Sequence, residues 1–101
     1  MVKVLKALSN PVRLKILALC SIKERSSREL RELLNLSKPL LIVHLRKLLD
    51  AGLLEYRAEL DERRMITRKY YRTIENLKIC IDIEVLSRIA EMLESRKRYD
   101  V

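Results

Sequence analysis

Leucines recur at three- and four-residue intervals in two successive segments of residues 26–54, which is the spacing of one face of an α-helix. Each segment therefore predicts a short amphipathic helix. The two apolar stripes can meet in one small core. Its expected members are Leu30, Leu33, Leu36, Leu41, Leu45 and Leu48.

Capping residues mark where these two helices begin and end. Ser26 precedes Glu29 by three residues, which is the capping-box spacing at a helix N-terminus. Asn35 suits the left-handed position that ends a helix. Ser37 can cap the second helix, and Pro39 in its first turn costs no hydrogen bond. The helices are thus joined by a short turn, as in a helix-turn-helix, although a helical hairpin of an all-α protein has similar caps.

The pattern changes after Gly52, which ends the second helix. Residues 53–74 form two extended stretches rich in Leu, Ile, Tyr and Thr around a charged tip at Asp61–Arg64. This pattern predicts a β-hairpin. Because the tip has no Gly or Asn, we expect a loop of four or more residues. A hairpin directly after the second helix favours a winged helix over an all-α hairpin.

Four segments between residues 3 and 73 resemble the ArsR-like winged-helix transcriptional regulators. The resemblance implies an α+β, mainly helical fold: a winged helix-turn-helix with a β-hairpin wing and a C-terminal helix. It also implies a DNA-binding regulator of transcription rather than an enzyme. The matching segments are LKALSNPVRLKILALC at 5–20, SSRELRELLNLSKP at 26–39, HLRKLLDAGLL at 44–54 and RKYYR at 68–72.

The C-terminal part departs from the short family pattern. Leu77, Ile79 and Ile81 alternate with polar or small residues, which predicts a third strand, followed by a helix capped near Asp82. The competing interpretation is a single helix over 75–96. We treat the chain as one domain, with a winged helix-turn-helix over 1–81 and a C-terminal dimerisation helix over 82–101.

The resemblance also implies that two copies pair through their first and last helices, which makes a symmetric homodimer the expected assembly. In the alternative, the last helix folds back onto its own core. The expected dimer interface consists of Val4, Leu5, Leu8, Leu86, Ile89 and Leu93.

The chain has a net charge of +8 and a pI near 9.8, which favours a polyanionic partner such as double-stranded DNA. A charged content of 36% and the absence of Gln from the sequence also fit a protein from a hot habitat. No apolar run approaches about 18 residues, so we expect no membrane contact. Arg13 and Lys15 interrupt the apolar N-terminal segment, so we predict a cytoplasmic protein rather than a secreted one. We also expect the protein to be prokaryotic.

Few residues could support catalysis or bind a metal. His44 is the one histidine, and no Cys-x-Cys pair or phosphate-binding glycine loop occurs. We therefore expect no enzyme activity, metal or cofactor, and no small-molecule effector is evident. Cys20 and Cys80 are far apart in sequence and are read as small buried hydrophobes, with a redox role as the alternative.

The second helix is the expected recognition helix. It carries several charged side chains but few uncharged polar ones. Its charges suit phosphates, whereas hydrogen-bonding groups for base edges are scarce. Leu40 and Val43 could touch thymine methyl groups, or Leu40, Ile42 and Val43 could dock another protein. The predicted DNA contacts are Lys38, Leu40, Val43, His44, Arg46 and Lys47 on the helix and Arg63, Arg64 and Arg68 on the wing.

These features predict a sequence-specific transcriptional regulator that binds an inverted-repeat operator as a homodimer. Two other functions fit the same residues: an adaptor that binds a protein through the recognition helix, and a non-specific DNA-coating protein.

Overall fold

A computed structural model describes the backbone of residues 2–79 and 82–99 and the side chains of residues 2–79 and 82–94. The fold is α+β and mainly helical, with a three-stranded antiparallel sheet, as predicted. In chain order the elements are α1 Val2–Leu8, α2 Pro11–Ile22, β1 Arg25–Ser26, α3 Ser27–Leu34, α4 Lys38–Asp50, β2 Leu54–Asp61, β3 Ile66–Thr73 and α5 Ile83–Tyr99.

The predicted caps of the helix-turn-helix are confirmed. The hydroxyl of Ser26 accepts a hydrogen bond from the amide of Glu29 at 3.1 Å, which closes the first turn of α3. Asn35 ends α3 in the left-handed conformation, with φ at 52°. The hydroxyl of Ser37 accepts from the amide of Leu40 at 3.4 Å. These contacts set the short turn between α3 and α4.

The core lies where α2, α3 and α4 meet the base of the sheet. Leu33 was predicted to belong to it, but this side chain is 55% exposed. The short helix α3 turns Leu30 fully inward and Leu34 partly inward, and Leu33 lies on the other side of Leu30 from Leu34. The most deeply buried side chains are Ile16, Cys20, Leu30, Leu41 and Leu48.

The third strand is β1, not the segment predicted at 77–81. β1 pairs with β3 through Arg25 opposite Tyr71 and Ser26 opposite Tyr70, which gives the sheet order β1-β3-β2. Residues 77–79 are irregular, and Ile81 lies outside the described residues. Leu77 packs against the core, so its apolar character serves tertiary packing rather than a strand.

The wing is formed by β2 and β3, which pair from Leu54 opposite Thr73 to Asp61 opposite Ile66. A four-residue tip, 62–65, joins them, as the absence of Gly and Asn predicted. At the base of the wing, Leu54 and Thr73 are buried. The hydroxyl of Thr73 donates to the carbonyl of Leu17 at 2.7 Å. This buried hydrogen bond ties the wing to α2.

Helix α5 begins at Ile83, where the carboxylate of Asp82 accepts from the amide of Val85 at 2.9 Å. The cap near Asp82 is therefore confirmed, and the alternative of a single helix over 75–96 is wrong. Every described side chain of α5 is exposed or half-buried, so the helix does not fold back to complete the core. The molecule is correspondingly elongated, with extents of 61 × 29 × 24 Å. No helix among the described residues is long and apolar enough to cross a membrane.

Candidate nucleic-acid interface

Helix α4 has a buried face and an open face. Leu41, Leu45 and Leu48 point inward and are at most 2% exposed. Leu40 and Val43 lie on the open side, with exposed fractions of 45% and 50%. The predicted DNA contacts of α4 that are exposed to solvent are Lys38, Leu40, Val43, Arg46 and Lys47.

A groove of about 780 Å³ runs between α3, α4 and the inner side of the wing. Lys38 and Arg46 line it from α4, and Arg68 lines it from β3. The structure thus brings together three of the predicted contacts, which are far apart in sequence. The basic side chains around the groove are Arg28, Arg31, Lys38, Arg46, Arg68 and Lys69.

Arg28 and Arg31 were not part of the predicted site. The arginines of α3 alternate with glutamates, a pattern that also describes an ordinary solvated helix surface. Glu32 indeed pairs with Arg28 at 3.3 Å. Arg31 lies one turn further along the same helix and also lines the groove. Their place beside α4 depends on how α3 packs, which local spacing does not show.

Part of the groove wall is apolar and aromatic. Ile42 of α4 and Ile66 of β3 contribute aliphatic surface, and Tyr56 contributes a ring. The ammonium of Lys69 lies 5.2 Å from the centre of the Tyr56 ring, within the range of a cation–π contact. A groove of this kind offers positive charge at its rim and apolar surface for sugars or methyl groups inside.

Ion pairs neutralise most of the acidic groups on β2. Arg57 bonds to Glu24 and Glu59, and Arg72 bonds to Glu55 at 2.9 Å. The Arg57 guanidinium lowers the pKa of Glu24, and these carboxylates raise the pKa of Arg57. Because these arginines are paired with glutamates, the face of the wing that carries them adds little net charge.

The wing tip presents Arg63 and Arg64 to solvent. The carboxylate of Asp61 accepts from the amides of both arginines, at 3.1 and 3.4 Å, which orders the backbone of the tip. Arg63 and Arg68 also line a smaller hollow of about 320 Å³ beside Glu59. The tip is therefore placed to extend a positively charged surface beyond the groove.

His44 does not lie where it was predicted. The expectation was that it faces or borders the DNA groove, but the side chain is 8% exposed and sits on the buried face of α4. The reason is the helical period: His44 lies three residues after Leu41 and one before Leu45, within the stripe that packs on the core. Burial, together with the charge of Arg13, lowers its pKa. His44 is thus excluded from the surface that could contact DNA.

Comparison with known proteins identifies the family. Residues 10–56, which run from the start of α2 into the wing, match the model of the bacterial regulatory proteins of the arsR family. An uncharacterized HTH-type transcriptional regulator of Methanocaldococcus jannaschii is 39% identical over 90 residues, covering 89% of this chain and 92% of the relative. This chain belongs to the ArsR family of transcriptional regulators.

Solved structures of other proteins have a similar fold. Reduced HlyU of Vibrio cholerae superposes with a TM-score of 0.62 at 31% identity, over 90% of this chain and 82% of that one. The transcriptional regulator HlyU of Vibrio vulnificus gives 0.60 at 33% identity, over 93% and 83%. The prediction of a winged-helix regulator rather than an enzyme is therefore confirmed, and DNA is the partner that this family implies.

The residues that could bind a metal are scattered. Among the described residues, no group of three or more His, Cys, Asp or Glu side chains converges. Cys20 is fully buried, and burial raises the pKa of its thiol to about 11. The described part of this ArsR-family chain therefore offers basic and apolar surface rather than a coordination site.

Proposed function

We propose that this ArsR-family regulator recognises a specific DNA sequence and binds it as a homodimer on an inverted repeat. The observation that supports the proposal most strongly is the groove that α4 shares with the wing, because basic side chains from separate elements converge on it. Binding to phosphates by Lys and Arg releases counterions and gives affinity, and contacts to bases add the sequence preference.

Helix α4 would enter the major groove with its exposed face. Lys38, Arg46 and Lys47 would neutralise phosphates on either side, and Leu40 and Val43 would meet base edges. Aliphatic side chains recognise the thymine methyl group, so the preferred site would be rich in A·T pairs. Selection of binding sites from a random duplex pool tests this. Enrichment of G·C pairs at the positions nearest α4 would contradict it.

The wing would extend the footprint through Arg63, Arg64 and Arg68. Replacing both Arg63 and Arg64 by Ala should weaken binding to every sequence and lower the slope of log affinity against log salt by about 2. A matched control removes Lys3 and Lys15, two exposed lysines of α1 and α2 that do not line the groove. If both double variants change the slope equally, the wing has no specific part in binding.

The dimer would form through α1 and the C-terminal segment 82–101. On α5, Leu86 and Leu93 are 55% and 57% exposed, which is more apolar surface than an isolated helix usually leaves in water. Helix α1 would contribute less apolar surface to the dimer interface than α5, because Val4 and Leu8 are half-buried against the core of their own chain. Half-sites of the operator would then lie about 34 Å or a multiple apart.

A sedimentation measurement tests the dimer. Leu86→Glu should convert the protein to a monomer at concentrations where the wild type is dimeric. Ser87→Glu is the control, since Ser87 is exposed on the same helix and the substitution adds the same charge. A monomeric wild type, or a dimer that both variants keep, would remove α5 from the proposal.

One observation favours a second function. Leu40, Ile42 and Val43 are 45%, 38% and 50% exposed on α4, so this helix could instead dock a protein partner. An adaptor of this kind would have negligible DNA affinity at moderate salt. A general DNA-coating protein would bind DNA tightly but with little preference among sequences.

A further inference from the structure

The recognition helix carries a buried histidine close to a buried arginine of α2. His44 and Arg13 are each 8% exposed. The Nδ1 atom of His44 and the Nε atom of Arg13 are buried without a hydrogen-bond partner among the described residues. Buried polar atoms are rarely left unpaired, and two of them on adjoining helices require an explanation.

Among the described residues, no carboxylate forms an ion pair with Arg13 or His44 that would balance a second positive charge. A guanidinium carries a positive charge, so protonation of His44 would place a second cation near that of Arg13 in a buried site. The low pKa of His44 has the same two causes, burial and the Arg13 charge.

Charged groups on the other elements packed against α4 do not relieve this repulsion. On α1 and α2, Lys3, Lys6 and Lys15 are exposed and positive. The carboxylates of α3 and β2 have other partners: Glu29 pairs with Arg25, Glu32 with Arg28, Glu55 with Arg72 and Glu59 with Arg57. The remaining charged groups of α3 and α4 are Arg31, Lys38, Arg46, Lys47 and Asp50, and Asp61 lies at the far end of β2.

We propose that α4 packs against α2 beside Arg13 only while His44 is neutral, so that His44 is a positioning residue whose protonation loosens this packing and weakens DNA binding. The DNA-binding part rests on the proposed function. His44 would act through α4 and would not touch DNA itself.

The sign of the pH effect separates this role from a direct contact. A histidine on the DNA-facing surface gains positive charge as the pH falls, so its protonation strengthens binding to phosphates. A buried histidine beside Arg13 predicts the opposite, because the charged form opposes the folded arrangement of α4.

The lowered pKa of His44 also determines how the stability of the protein depends on pH. The pKa of His44 is lower in the folded chain than in the unfolded one, so the unfolded chain binds the extra proton more readily. The resulting stability is fully present above the unfolded pKa, about 6.5. It is lost progressively as the pH falls from there through the folded pKa.

The decisive experiment uses the fact that His44 is the one histidine of the chain. Its ring proton resonances can be followed by NMR from pH 7.5 to 5 without ambiguity, alongside urea unfolding and DNA affinity over the same range. We expect a pKa below that of a histidine in denaturant, and a DNA affinity that falls at least about threefold on acidification. An ordinary or raised pKa, or binding that tightens through His44, would overturn the proposal.

Two variants isolate the pair. His44→Gln keeps polar atoms without a titratable charge, so it should remove the pH dependence of both stability and DNA affinity in this range. Arg13→Gln should raise the pKa of His44, whereas Lys15→Gln, the same charge change at an exposed position of α2, should leave it unchanged. Equal shifts in both variants would contradict a specific pair. The NMR and unfolding results stand even if the protein binds no DNA, so failure of this proposal is distinguishable from failure of the proposed function.

Discussion

Arg57 of the wing holds Glu24 of the α2–β1 connection, with its Nε atom 3.0 and 2.9 Å from the two carboxylate oxygens. The same guanidinium donates to Glu59 at 2.9 Å and lies 4.6 Å from the centre of the Tyr70 ring. Tyr70 lines both the main groove and the hollow at the wing tip. Arg57 therefore links the angle of the wing to the helical part of the molecule.

Glu24→Gln tests this link without removing a basic residue. It should lower the free energy of unfolding at neutral pH more than Glu32→Gln, which removes one carboxylate from an exposed pair within α3. Because Arg57 lowers the pKa of Glu24, the stabilisation is present above the unfolded pKa and is lost as the pH falls through the folded pKa. Urea unfolding at neutral and acidic pH measures both effects. Equal effects of the two substitutions at neutral pH would show that the Arg57–Glu24 ion pair stabilises the fold no more than the exposed pair within α3.

Substitution of two neighbouring leucines tests the placement of α3. Leu30→Ala empties a fully buried position and should cost about 2–5 kcal/mol of unfolding free energy. Leu33→Ala removes the same atoms from a side chain that is 55% exposed and should cost less than about 1 kcal/mol. Urea unfolding of both variants is the measurement. Similar losses of unfolding free energy in the two variants would mean that α3 does not bury Leu30 in preference to Leu33.

The contrast between these leucines shows how far the sequence could predict the fold. Caps such as Ser26 and Asn35 act within a few residues, so local pattern identified them. Which leucines of α3 are buried depends on how the helix meets α4, and spacing leaves that choice open. The two-residue strand β1 owes its existence to pairing with Tyr70 and Tyr71, some 45 residues later in the chain, and has no pattern of its own.

Individual residues of the candidate site could be predicted from the sequence, but their arrangement in space could not, for the same reason. Charges such as Lys38 and Arg68 were found from their elements, but their convergence on one groove, together with Arg31, is a tertiary fact. The prediction that His44 faces or borders the DNA was wrong, because its side chain is buried. A polar residue in a recognition helix suggests a base contact, whereas its position between Leu41 and Leu45 makes it part of the buried stripe.

Cys20 should be chemically inert in the folded protein. Its side chain is fully buried, and burial raises the pKa of the thiol to about 11, so little thiolate is present at neutral pH. In a Cys80→Ser variant, iodoacetamide at pH 7.5 should leave the native protein unmodified and alkylate it in denaturant, as read by mass spectrometry. Alkylation at comparable rates in the native and denatured states would show that the Cys20 thiol is reactive in the folded protein, as a redox role requires.

The arginines of α3 should contribute to DNA affinity although they lie outside the recognition helix. Replacing Arg28 and Arg31 by Ala should lower affinity for all sequences alike and reduce the salt slope by up to about 2, because both line the groove. The Lys3→Ala, Lys15→Ala double variant has the same loss of charge away from the groove. A loss of affinity confined to one sequence would instead assign base contacts to α3.

DNA binding with sequence preference is expected to use the exposed face of α4 together with the groove that α4 shares with the wing. The most direct test is a titration of the purified protein against a duplex from its own promoter and a shuffled duplex of equal composition, at two salt concentrations. We expect tighter binding to the promoter duplex than to the shuffled duplex, and an affinity that falls steeply with salt. Equal affinity for the two duplexes would contradict sequence preference, and absence of binding at the lower salt concentration would contradict the DNA interface itself.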